Sequence, residues 1–161
     1  MTTADQWITQ LALEPHPEGG FFRQTMKSEE TVTTPDGRTR AQYTSIHFLV
    51  RSGEPSRLHQ LQSDEMWYFH TGASLDVHMI HPASGHHEVM TLGPNPANGE
   101  VLQGLVPKGT IFGAEVRESE QFALVSCVVV PGFDFADFEL LARNELITNY
   151  PEHREVIERL T

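Results

Sequence analysis

An all-β barrel or sandwich is the fold class that this sequence predicts, and three observations lead to it. From Gly20 to Pro131, short runs rich in β-branched and aromatic residues alternate with turn signals, a spacing that favours sandwiches and barrels over βαβ units. The run Phe122 to Val130 is apolar at both parities, as a strand buried on both faces must be. The chain has 161 residues, 39% hydrophobic and 20% charged, enough for a single domain over residues 1–161 with its own core and no disulfides.

The elements follow in order. Thr3 and Gln6 form a capping box, and Trp7, Ile8 and Leu11 recur at helical spacing, so the chain opens with a short helix packed on the barrel. Pro15-His16-Pro17-Glu18-Gly19-Gly20 then breaks regular structure. Its prolines remove backbone donors and its glycines permit unusual angles, which makes it a shaped loop. Strands are expected at Gln42 to Val50, Met66 to Thr71, Leu75 to Ile80, Glu88 to Leu92 and Gln121 to Val130. Turns fall at Pro35-Asp36-Gly37, at Thr71-Gly72-Ala73 and at Pro82 to Gly85. Gly93 to Gly99 has no periodicity and reads as a surface loop. After Pro131-Gly132, Asp134 is placed to cap a helix carrying Phe138, Leu141 and Ala142, and Pro151 opens another carrying Val156, Ile157 and Leu160.

Charge excludes some partners. The formal net charge is -11 and the eleven Lys and Arg residues are scattered, so nucleic acid is not an expected partner. No apolar run approaches the ~20 residues that span a bilayer, and the first residues lack the regions of a signal peptide, so no membrane association and a cytoplasmic location are expected. Cys127 is the only cysteine and sits in an apolar run, which suits a buried, unreactive thiol.

The residues that bear chemistry begin with Gly53, His59, Glu65 and Gly72, in the stretch that runs through Ser63-Asp64-Glu65-Met66-Trp67-Tyr68-Phe69. This spacing resembles the first motif of the cupin superfamily, except that Leu61 stands where that motif has a second histidine. Pro107-Lys108-Gly109 resembles the second motif, whose histidine is replaced by Phe112 and whose asparagine by Val116. Pro-His-Pro-Glu-Gly-Gly near the start, Val106 to Thr110 and Pro131 to Phe138 are similar to one particular small-cupin branch, over about Leu13 to Leu140. The resemblance implies a cupin-type β-barrel (double-stranded β-helix, jelly roll) with short terminal helices. It also implies a fold like that of seed storage cupins and nucleotide-sugar epimerases, a dimeric state and a ligand pocket inside the barrel.

Within that pocket His59 and Glu65 are the candidate catalytic residues, base and acid or partner, because burial brings both pKa values toward useful ranges. Glu18, Ser45, His47, Trp67, Phe69, Gln103 and Phe112 are candidate ligand-binding residues. His16 shares with Glu18 a possible place at the pocket mouth. A cupin metal needs three histidines and a carboxylate, so no cofactor is expected. A divalent metal completed by water, His47 or Gln103 is the alternative. Three functions are carried forward: binding of a small polar molecule, such as a sugar or nucleotide derivative, with metal-independent isomerase or epimerase chemistry; a metal-dependent oxygenase or isomerase; and a non-catalytic binding or storage-like protein. Glu65 could instead be structural, paired with Arg57 or Arg23. The period of two sends Trp67 and Phe69 inward with Glu65, and Met66, Tyr68 and His70 outward, where a homodimer packed sheet to sheet would cover them. His78, His81, His86 and His87 read as a solvated strand and turn.

Overall fold

The computed structural model describes all residues from Met1 to Thr161. Helix α1 (Ala4–Gln10) begins at the Thr3 capping box, with Thr3 accepting from the Gln6 N–H and Gln6 accepting from the Thr3 N–H. The strands are β1 (Glu14–Pro15), β2 (Phe21–Lys27), β3 (Thr31–Thr33), β4 (Thr39–Ala41), β5 (Thr44–Arg51), β6 (Ser56–Gln60) and β7 (Asp64–Gly72). They continue as β8 (Leu75–His81), β9 (His86–Leu92), β10 (Gln103–Val106), β11 (Ile111–Glu115), β12 (Phe122–Val130) and β13 (Glu139–Leu140). Helices α2 (Arg143–Asn149) and α3 (Arg154–Arg159) close the chain.

Two antiparallel sheets face each other, ordered β1-β2-β5-β12-β7-β10 and β13-β6-β11-β8-β9, with β3 and β4 forming a separate hairpin. This is the jelly roll that the sequence predicts. Register fixes which side chains meet inside. Across the first sheet Ile46, Cys127 and Trp67 pair in one row, and Thr44, Val129 and Glu65 in the next. Both rows point inward, because a strand alternates faces residue by residue. In the second sheet His59 pairs with Phe112, and Phe112 with Met79, on the inward side.

Three apolar clusters hold the layers. The largest lies between the sheets and includes Phe48, Trp67, Val77, Phe112 and Val125. A second seals the outside of the second sheet, where Leu58, Ile80 and Ile111 pack under Leu146, Ile157 and Leu160 of the C-terminal helices. The third puts Trp7, Ile8 and Leu11 of the first helical segment over Leu13, Leu49 and Leu124. Burying a large apolar side chain contributes about 1.5–3 kcal/mol, so the second and third clusters make the terminal helices part of the folded unit. Phe122 to Val130 lies between β5 and β7; its inward parity is buried, but on its outer parity only Phe122 and Leu124 are covered by the first helical segment and Val130 is 39% exposed, so the burial on both faces that the sequence suggests is met only in part. Burial pushes the thiol of Cys127 well above its ordinary pKa, in keeping with an unreactive cysteine.

The tail differs from its sequence reading. Asp134 does cap a turn, accepting from the Ala136 N–H, but that turn is only a 3-10 segment, Phe135–Asp137. Phe138 is already extended, and Glu139–Leu140 add strand β13 to the edge of β6. The unpaired edge of β6 accepts backbone hydrogen bonds that a helix would have kept to itself.

Candidate functional site

A small cavity of about 90 Å³ opens at one end of the inner space, between the two sheets and the Pro15 to Gly20 loop. Glu65 reaches it from β7 and His59 from β6, so the two motif residues approach from opposite sheets. Glu18 and His16 arrive from the loop. Phe133 and Phe135 cover the mouth, with Phe135 half exposed.

The loop is fixed by its own chemistry. The Arg57 N–H donates to the Glu18 carbonyl at 2.7 Å, and the Arg57 guanidinium clasps the Glu18 and Pro17 carbonyls. Gly19 has φ +109°, and a Cβ there would lie 2.2 Å from the Pro55 carbonyl oxygen, so only glycine permits this crossing. The carboxylate of Glu18 is thereby carried inward, 7% exposed in all. Its Oε1 accepts from the Ser56 hydroxyl at 3.0 Å and its Oε2 lies 2.9 Å from His59 Nε2.

His59 has no free nitrogen. Its Nδ1 lies 2.6 Å from the Arg57 carbonyl oxygen and must donate there, while Nε2 faces Glu18. With both nitrogens donating, the ring is an imidazolium paired with a carboxylate. Burial works against both charges, but their mutual attraction prevails: His59 is raised above its ordinary pKa and Glu18 is held below its own. His16 accepts the Glu18 N–H on Nδ1 at 3.1 Å, and burial lowers its pKa. The neutral ring therefore carries its proton on Nε2, which makes no hydrogen bond within the protein.

Glu65 is the opposite case. It is 7% exposed, and burial first, then the neighbouring Glu18 charge, push its pKa up to about 8. The indole of Trp67 lies beside it without reaching hydrogen-bond geometry, for Glu65 Oε2 and Trp67 Nε1 are both buried without a partner. At neutral pH the site thus holds one neutral carboxylic acid facing one buried ion pair.

The other sequence candidates are placed as follows. Trp67 and Phe112 face inward but lie in the packed core behind the cavity, with the Phe112 ring 4.1 Å from that of His59. Phe69 packs against the same core from a half-buried position. Ser45, His47 and Gln103 are not brought to the cavity. Their rows, Ser45 with Val128 and His47 with Ser126, Tyr68 and Gln103, face the outside of the first sheet. The apolar parity of β5 is the inward one, and Thr44 and Ile46 line the cavity instead. Arg57 and Arg23 do not pair with Glu65; both donate to backbone carbonyls. His16, Phe22, Gln24, Leu61, Val129, Phe133 and Phe135 complete the lining. The mouth is latched by Asp137, which accepts from Arg40 at 2.8 Å twice and lies 2.8 Å from Arg38.

Comparison with known proteins agrees with this architecture. The solved structure of a hypothetical protein from Leishmania major superposes with a TM-score of 0.93 at 37% identity, covering 99% of this chain and 98% of that one. A solved protein from Shewanella oneidensis gives a TM-score of 0.92 at 46% identity, over 100% and 98% of the two chains. An uncharacterised protein of Saccharomyces cerevisiae is 29% identical over 162 residues, 87% of this chain and 76% of its own. Oxalate decarboxylase of Bacillus subtilis shares the fold alone, with a TM-score of 0.59 at 18% identity over 91% of this chain and 36% of that one. Residues 5–141 match the family described as Cupin superfamily (DUF985), and the chain belongs to that family.

Proposed function

We propose that the barrel binds a small, neutral, polar molecule and catalyses metal-independent proton transfer on it, as an isomerase or epimerase does. One observation carries this reading: Glu65, a buried carboxylic acid with an unpartnered oxygen, faces a Glu18–His59 ion pair within one cavity. Two carboxyl groups whose surroundings push their pKa values apart divide into acid and base. Glu65 delivers its proton to a carbonyl oxygen of the ligand while the Glu18 carboxylate takes a proton from the adjacent carbon; His59, donating from both nitrogens, holds that carboxylate and is not itself the base the sequence suggests. The enediol so formed collapses as the protons return, and no electrons leave the ligand.

The donor set argues against a cupin metal. Leu61 and Phe112 supply no lone pair, both nitrogens of His59 are engaged, and Glu65 alone remains free. Size and charge narrow the ligand. A cavity of about 90 Å³ accepts a group of a few heavy atoms, since liquid water takes about 30 Å³ per molecule. A sugar or nucleotide derivative would place only its reacting end inside. An anion would meet the negative Glu18 and is disfavoured, whereas a carbonyl or hydroxyl accepts from Glu65 at no electrostatic cost.

Dihydroxyacetone in D2O is a suitable probe. Exchange of its carbon-bound protons, followed by NMR, should exceed the buffer rate with the wild-type chain and return to it with Glu65→Gln. Equal exchange with both chains would remove proton transfer and leave a binding protein, whose ligand is recovered unchanged. We further propose a homodimer packed through the exposed outer face of β5, β12, β7 and β10, where Leu105 is 46% exposed beside Tyr68, Met66 and Val128.

A further inference from the structure

Away from the barrel cavity, three histidines converge where the hairpin of β8 and β9 meets the C-terminal helices. The sequence reads these strands as solvated, yet His78 is only 3% exposed. Its Nε2 lies 3.1 Å from Glu115 Oε1 on β11, and its Nδ1 lies 3.0 Å from His87 Nε2 on β9. The rings of His78 and His87 lie within 10° of parallel with centroids 5.3 Å apart, the edge-to-edge arrangement that an in-plane hydrogen bond requires. His153, at the start of α3, places its Nε2 2.7 Å from the Gly85 carbonyl oxygen.

These contacts determine where the lone pairs are. Glu115 is ion-paired to Arg159 at 3.0 Å, so it is an acceptor and His78 Nε2 donates to it. A neutral imidazole has one N–H and one lone pair, so His78 Nδ1 accepts, and His87 Nε2 must be the donor. His87 is left with its lone pair on Nδ1. A carbonyl only accepts, so His153 donates from Nε2 and it too keeps its lone pair on Nδ1. Neither Nδ1 makes a hydrogen bond within the protein. The two rings are neighbours, 5.3 Å between centroids, on an open groove of about 300 Å³.

We propose that this groove binds a late first-row divalent cation, of the class of Cu2+, Ni2+ or Zn2+, through His87 Nδ1 and His153 Nδ1. Imidazole suits these ions. A ligating histidine almost always donates its other N–H to a carbonyl or, directly or through a relay, toward a carboxylate, which fixes the ring and raises its basicity. Gly85 supplies the first kind of support and the Glu115–His78 chain the second. No third side chain is in place, so water fills the remaining positions. The arginines on the groove do not repel the ion as free charges: Arg159 is paired with Glu115 and Glu155, and Arg117 lies 3.7 Å from Asp76. Glu152 and Glu155 add negative charge at the rim.

The test is a Cu2+ titration at pH 8 on protein without a histidine tag, read by electron paramagnetic resonance and calorimetry. One ion per chain with the superhyperfine pattern of two imidazole nitrogens is expected from the wild type alone, independent of any variant. His87→Ala and His153→Ala should each weaken binding at least tenfold. Glu115→Gln, which replaces the acceptor that orders the His78–His87 chain by an amide that can also donate, should weaken it about tenfold. His86→Ala, on the same hairpin and outside the groove, should leave it unchanged. A single-nitrogen spectrum, or equal affinity in His87→Ala, His153→Ala and the wild type, would overturn the proposal.

Discussion

Replacing Glu65 by glutamine should flatten the pH dependence of folding stability between pH 5 and 8. The carboxyl is raised from the ordinary 4.5 to about 8 in the folded chain. Between those values the native state binds a proton that the unfolded chain has released. Stability from this group is therefore complete below pH 4.5 and is lost as pH rises toward 8. At about 1.4 kcal/mol per pH unit, the whole window is worth about 5 kcal/mol, and the span from pH 5 to 7.5 about 3 kcal/mol. Both are upper figures, but even half would be a large share of a domain stability of about 5–15 kcal/mol. Glutamine keeps the shape and cannot ionise. Urea unfolding followed by tryptophan fluorescence, at pH 5, 6, 7 and 7.5, gives the difference between the two chains. Glu18 and His59 titrate in both and cancel to first order. The wild-type chain should lose about 3 kcal/mol relative to Glu65→Gln across that range. Parallel profiles, agreeing within about 1 kcal/mol, would mean that Glu65 is already ionised at pH 5 and would refute both the buried acid and its place in proton transfer.

Other outcomes follow from the same geometry. Glu18→Gln leaves the buried His59 charge without its partner, which costs about 3–5 kcal/mol. It should also drop the His59 pKa below the ordinary histidine value, because burial, the largest influence, is then opposed only by the Arg57 carbonyl and the Glu65 carboxyl. An NMR titration that finds it still raised would contradict the ion pair. Gly19→Ala brings a Cβ to 2.2 Å from the Pro55 oxygen at φ +109°, a strain of at least about 1–3 kcal/mol. An unchanged melting temperature would show that the loop does not cross β6 as described. For the homodimer, sedimentation equilibrium should give twice the 18.1 kDa chain mass, and Leu105→Glu should halve it while the circular dichroism is retained. A monomeric wild type would reject the sheet-to-sheet contact.

The fold was legible where one signal spoke alone. The capping box, the apolar run of the central strand and the turn residues each set a local conformation by short-range chemistry, and their elements stand where the sequence puts them. Short strands such as β6, β10 and β11 carry no such signal, since five residues or fewer with glycine, glutamine or histidine among them show little period of two. The chain after Pro131 misled for a different reason. Phe138, Leu141 and Ala142 recur at helical spacing, yet Phe138 joins Phe133 and Phe135 in converging on His16 at 6.0–6.5 Å, above the cavity. Tertiary contact set that pattern, and helix propensity did not.

The site shows most clearly what a motif alone conveys and what it omits. The motif marked His59 and Glu65 as pocket residues, and it marked Leu61 and Phe112 as positions without donors. It gave no sign of what His59 would do once those donors were gone. A buried imidazole beside phenylalanine, 4.1 Å away, must satisfy both nitrogens or remain neutral and underbonded. The Arg57 carbonyl takes one, and Glu18, forty-one residues upstream in a loop that reads only as prolines and glycines, takes the other. That partnership moves the chemistry. The histidine becomes the fixed cation, Glu18 the anion, and the negative charge of Glu18 in turn helps keep Glu65 protonated. The free acid of the pocket is thus a consequence of a contact between loop and strand. Removing Glu18 therefore takes away one of the two causes that raise the Glu65 pKa, burial being the larger, as well as the partner that keeps His59 charged.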